Sequence, residues 1–174
     1  MHVTGSLRLV VAGLICAVAV TPRPGLASAP TDTVKDEAPA DPFCVSLQAI
    51  IDAAPKGFAS LRGAAKKDAE STWAATRSVP GGTECLVFGG TPAAYTCTLY
   101  ADDDANVADW THEDTVGRLK KCLAKDWTAS EQVDGTHERT SIMRGSAPAS
   151  VRVVSKIGSG DAYRVSLWID AREP

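Results

Sequence analysis

The chain has 174 residues, 44% of them hydrophobic and 22% charged, with 18 basic residues against 21 acidic ones and a formal net charge of −3. That balance disfavours a nucleic-acid role, which shows as a basic domain or face. The length suits one hydrophobic core rather than several.

The first 29 residues, MHVTGSLRLVVAGLICAVAVTPRPGLASA, read as a secretory leader. Arg8 supplies the positive start, residues 9–20 form an unbroken apolar run, and a polar, Pro-containing stretch ends at Ala27-Ser28-Ala29. The run is too short for a hydrocarbon core, which takes ~20 apolar residues in a helix. No membrane span is therefore expected once the leader is removed. Cleavage is placed after Ala29, with Ala27 and Ala19 as alternatives because the first choice leaves Pro30 at the new terminus. Cys16 follows Ile15 rather than a small residue, which argues against lipid attachment. The leader carries Arg8, Arg23 and no acid, so the mature chain has 16 basic and 21 acidic residues and a net charge of −5. Residues 30–40, PTDTVKDEAPA, are polar and without apolar period, the composition of a disordered tether. A single domain is expected over residues 41–174, in the periplasm or outside the cell.

Four cysteines remain, Cys44, Cys85, Cys97 and Cys122, and none forms a CxxC pair. In an oxidising compartment their expected role is two disulfides, for which three connectivities are open.

Asp41 as N-cap and Pro42 in the first turn open a helix with Cys44, Leu47, Ile50, Ile51 and Ala54 at helical spacing. Pro55 and Gly57 interrupt it, and Phe58 and Leu61 add one apolar turn. Residues 64–71 are polar and helix-tolerant, and residues 73–79 read as a short strand ended by Pro80-Gly81-Gly82. A hairpin follows, with arms over residues 85–88 and 94–101 about Gly89-Gly90-Thr91-Pro92. In its second arm Tyr95, Cys97 and Leu99 share one face, and Thr96, Thr98 and Tyr100 the other.

A second helix is expected from Thr111, with Asp114 completing a variant capping box. Val116, Leu119 and Leu123 form its stripe, Cys122 borders that stripe, and Arg118, Lys120, Lys121 and Lys125 load its C-terminal half, where cations suit the macrodipole. Cys97 points to an apolar strand face and Cys122 lies beside the stripe that would cover it. The preferred pairing is therefore Cys97–Cys122 with Cys44–Cys85.

Strands over residues 137–144, 151–157 and 163–169 complete the chain, joined by turns at 145–150 and 158–161. Val151, Val153 and Ile157 alternate against Arg152, Val154 and Lys156, and Tyr163, Val165, Leu167 and Ile169 against Arg164, Ser166, Trp168 and Asp170. The expected fold is α+β, with two helices packed on one face of a largely antiparallel sheet of five or six strands. AAYTCTLYAD at 93–102 and DAYRVSLWID at 161–170 align without gaps, matching Thr98 to Ser166 and Tyr100 to Trp168. This echo offers a second description, a tandem helix-plus-strands pseudo-repeat.

Asp102, Asp104, Asn106 and Glu113 stand at oxygen-ligand positions of a twelve-residue calcium loop, a metal reading weakened by Val107 where glycine is needed. His112 lacks the second histidine of a zincin motif. His112 and His137 are expected to be solvated, and Trp110 and Trp127 to sit at core edges. No GxSxG elbow occurs, and no catalytic residue is assigned. Trp168, Arg164, Arg152, Lys156 and Tyr100 fall on the polar faces of their strands, and aromatics with arginines mark binding surfaces. The function expected from this pattern is a non-enzymatic binding or inhibitor-type protein that engages a protein or envelope component. A secreted hydrolase, metal-assisted through the acidic loop, is the alternative.

Overall fold

The computed structural model describes residues 40–67, 69–134, 138–157 and 162–172. The leader, the tether through residue 39, His137 and the 158–161 turn lie outside the described residues.

Helix α1 (Pro42–Ala53) begins as its sequence requires, with the Asp41 carboxylate accepting the Phe43 amide at 2.8 Å. Pro55 and Gly57, the latter left-handed at φ 56°, carry the chain through two short 3-10 turns, Ala54–Lys56 and Ala59–Leu61. Four strands follow: β1 (Arg62–Ala65), β2 (Thr72–Ala75), β3 (Thr83–Phe88) and β4 (Ala94–Asp102). Helix α2 (Ala105–Cys122) leads to four more: β5 (Thr128–Asp134), β6 (Glu138–Arg144), β7 (Ala149–Ile157) and β8 (Tyr163–Ala171).

All eight strands form one sheet in the order β1-β2-β3-β4-β8-β7-β6-β5, every neighbouring pair antiparallel. The expectation of five or six is corrected upwards by β1 and β5, the two edges of the sheet. Part of the 64–71 stretch read as helix-tolerant is the end of β1, and the strand read at 73–79 stops at Ala75. Each helix precedes a four-stranded meander, and the two meanders join where β4 pairs with β8. Thr98 and Ser166, matched by the gapless alignment, are also the residues that face each other across that junction.

The second helix starts six residues before the expected Thr111. Asp104 wins as the cap because its carboxylate accepts both the Asn106 amide at 2.8 Å and the Val107 amide at 3.2 Å. Phe43, Leu47, Ile50 and Ile51 of α1 and Ala108, Val116 and Leu119 of α2 join one core with the inner sheet face, where Tyr95, Val153, Val165, Leu167 and Ile169 are fully buried. Burying such a side chain contributes about 1.5–3 kcal/mol. The buried Tyr95 hydroxyl is satisfied by donating to the Arg77 carbonyl at 2.9 Å, and burial pushes its pKa above the usual 10.0.

The disulfides correct the preferred pairing: Cys44 joins Cys122, and Cys85 joins Cys97. Two local features cause this. Cys122 is the last residue of α2, where it meets Cys44 in the first turn of α1. Leu86 pairs with Thr96 across β3 and β4, so Cys85, one residue before Leu86, stands beside Cys97, one residue after Thr96.

Candidate binding face

The sheet face away from the helices is built from transverse rows set by strand register. Leu86, Thr96, Trp168, Arg152 and Ile142 succeed one another across β3, β4, β8, β7 and β6. The next row holds Thr98, Ser166, Val154 and Thr140, and the one beyond it Ala101, Arg164, Lys156 and Glu138. The middle row is small and each of its members is less than 9% exposed, although no element among the described residues covers them. The larger side chains on either side shade them, so the rows form a trough of about 470 Å³ running across the strands.

One wall is aromatic. Phe88 and Trp168 stack with centroids 5.9 Å apart and planes 9° from parallel. They meet over β4 because Ala94 and Thr96 are small. The Arg152 guanidinium lies 5.4 Å from the Trp168 ring centre and donates to both Asp170 oxygens, at 2.7 and 3.0 Å. A two-point contact of this kind fixes the guanidinium plane as well as its position.

The other wall is charged. Arg164 donates to Thr98 Oγ1 at 3.1 Å and stands 3.8 Å from the exposed Glu84 carboxylate. Lys156 faces Arg164 directly across β7 and β8, and Glu138 faces Lys156 from β6. Among the described residues no carboxylate lies within ion-pair distance of Lys156.

Four of the five residues expected on this surface, Trp168, Arg164, Arg152 and Lys156, therefore line one trough. Tyr100 does not. The register runs Thr98 to Ser166 but Tyr100 to Val165, so a bulge at Leu99 turns Tyr100 to the core side. There its hydroxyl accepts the Asp104 amide at 3.1 Å. Sequence reasoning missed Phe88 and Asp170. Asp170 shares the phase of Trp168 and was within reach of that count, whereas Phe88 needed the register of β3 on β4.

The calcium-loop residues are not wrapped around a common centre. Asp104 caps α2 while Asn106 and Glu113 lie within it, so the twelve-residue loop is replaced by helix. Among the described residues no group of three or more His, Cys, Asp or Glu is placed to hold a metal ion. Trp110 is 66% exposed on α2 rather than at a core edge, whereas Trp127 packs against the core.

His112 is buried, contrary to expectation, because the early start of α2 turns it toward β6. Its Nε2 lies 2.9 Å from Ser141 Oγ, and Nδ1 has no hydrogen-bond partner. Burial, then the Arg139 guanidinium, lower its pKa, opposed by Glu113, Glu131 and Asp109. The Ser–His contact faces the core side of the sheet, opposite the trough.

No helix among the described residues is long and apolar enough to cross a membrane. Two disulfides are compatible with an exported protein. No family model, curated protein or solved structure matches this chain.

Proposed function

We propose that this chain is an exported, non-enzymatic binding protein of inhibitor type that engages a protein partner through the outer sheet trough. The observation that carries the reading is the Phe88–Trp168–Arg152 stack, a rigid aromatic wall fixed by Asp170 at the side of a trough with a small, polar floor. Aromatic and arginine side chains supply most of the energy in protein interfaces, and they do so best where their own conformation is already set. The trough crosses five strands, ~19 Å at ~4.8 Å per strand. That breadth suits a polypeptide loop better than a small molecule.

The hydrolase alternative gains no support, since the acidic residues it would use are spread over the end of β4, the α2 cap and α2 itself. The test is selection of random, disulfide-closed peptide loops displayed on phage against the purified protein. Loops that bind should lose at least tenfold in affinity on Trp168→Ala, a typical hot-spot loss, with circular dichroism unchanged. Loops indifferent to Trp168→Ala would remove the reading.

A further inference from the structure

We infer that the trough recognises an extended protein segment presenting a single carboxylate toward Lys156 and Arg164 while an adjacent apolar side chain packs on the Phe88–Trp168 wall. This deepens the reading above and rests on it.

The inference starts from a like-charge contact. Lys156 and Arg164 are directly opposite each other on adjacent strands and on the same face, an arrangement that destabilises a sheet. Arg152, two residues along from Val154 on the same face, is already matched by the two-point contact with Asp170. Arg164 has only a solvent-exposed carboxylate at 3.8 Å, its partner Glu84 being 74% exposed, and Lys156 has none within ion-pair distance among the described residues. Among the described residues the two adjacent cations thus have one ion-pair partner between them, the exposed Glu84 at 3.8 Å from Arg164, with Glu138 facing Lys156 from β6 beyond ion-pair distance. An incoming carboxylate between them relieves the repulsion and gains two charge-assisted hydrogen bonds, so electrostatic complementarity favours an anionic guest.

The flanks restrict what kind of anion fits. Glu138 follows Lys156 in the same row, and Glu84 stands on the far side of Arg164. The row reads negative, positive, positive, negative, which accepts one carboxylate at its centre and repels a run of them. A polyanion such as nucleic acid is thereby disfavoured, and a lone Asp or Glu side chain is favoured.

The two walls set the spacing of the guest. The aromatic row and the charged row lie on opposite sides of the Thr98–Ser166–Val154 floor, four residues apart along β7 and β8, ~13 Å at ~3.3 Å per residue. A segment lying along the trough in extended conformation points successive side chains to opposite sides. Its carboxylate and its apolar anchor must therefore be separated by an odd number of positions, the nearest being neighbours in sequence.

The experiment uses the phage-selected loops described above, with synthetic copies titrated against the purified protein. The expected outcome is enrichment of loops with one Asp or Glu next to an aromatic or large aliphatic residue. Their affinity should fall about tenfold or more on Arg164→Glu, and by a similar factor on Lys156→Glu, with a loss on added salt. Both positions are exposed, so these variants keep the fold; Lys156→Gln serves as a charge-removing control. Exchanging the loop's acid for Lys should restore binding to the Arg164→Glu protein. Selected loops that depend on Trp168 but lack an acid, or ignore both charge reversals, would overturn this inference and leave the proposed function standing. Loops that also ignore Trp168→Ala would overturn both.

Discussion

Arg152 and Asp170 stand side by side on β7 and β8 in a two-point ion pair, and the same guanidinium lies over Trp168. The pair thus does more than join two charges. It decides where the aromatic wall of the trough stands.

Removing the carboxylate should be felt at both ends. Asp170→Ala is expected to lower stability by about 1 kcal/mol, the upper range for a partly exposed pair. It should also shift the Trp168 fluorescence maximum as Arg152 loses its anchor. Arg152→Lys keeps the charge but cannot span both oxygens, so it should show the same spectral shift. A urea midpoint and emission spectrum identical to the parent in Asp170→Ala would contradict this account.

The buried His112 should make stability fall on mild acidification. Its folded-state pKa lies below the ordinary 6.5 because burial and Arg139 outweigh Glu113, Glu131 and Asp109. Below pH 6.5 the unfolded chain takes up a proton that the folded chain refuses, so the unfolded state gains. Above that pH both states hold neutral imidazole and the residue contributes no slope. Melting temperatures should therefore decline from about pH 7 to about pH 5. In His112→Gln, whose amide can still reach Ser141, the decline over that window should be shallower.

The two disulfides should differ in their effect. Cys44–Cys122 closes a sequence separation of 78 and Cys85–Cys97 one of 12. In the chain-entropy model these correspond to about 4.5 and about 3 kcal/mol. The double variant Cys44→Ser/Cys122→Ser should accordingly melt at a lower temperature than Cys85→Ser/Cys97→Ser. Peptide mapping without reduction should recover each pair linked as named, and a Cys97–Cys122 peptide would refute the assignment.

Gly145 is required by its neighbour. A Cβ built there would lie 2.8 Å from the Trp127 ring, a distance real side chains do not tolerate. The ring is rigid and packed against the core, so it cannot step aside cheaply. Gly145→Ala should cost about 1–3 kcal/mol, as overpacking does, measured as a lowered urea midpoint. An unchanged midpoint would show that the ring has room to move.

What the sequence made legible follows the physics of each element. β7 and β8 run nine residues each in unbroken register, so counting by twos placed Trp168, Arg164, Arg152 and Lys156 on one face. β4 was counted the same way, but the bulge at Leu99 reversed the phase and carried Tyr100 to the other side. A bulge adds a residue without marking the sequence. β1 and β5 were missed because, at the sheet edges, they carry no alternating burial; every residue of β5 is exposed. The start of α2 is not legible because Thr111 and Asp114 imitate a capping box inside the helix, whereas the cap the chain uses is Asp104 in the acidic run before it.

Cys44 and Cys122 also close most of the first half of the molecule into a covalent ring. The ring contains β1 to β4, the acidic turn after Asp102 and nearly all of α2, while β5 to β8 hang from it as a tail. A single backbone cut anywhere inside the ring opens it without dividing the molecule. The β3 and β4 side of the trough then stays tethered to the β7 and β8 side through helices on the opposite face. Exposed loops within residues 45–121 can thus be nicked by a protease while the two walls of the trough remain one covalent object, until a reductant separates them.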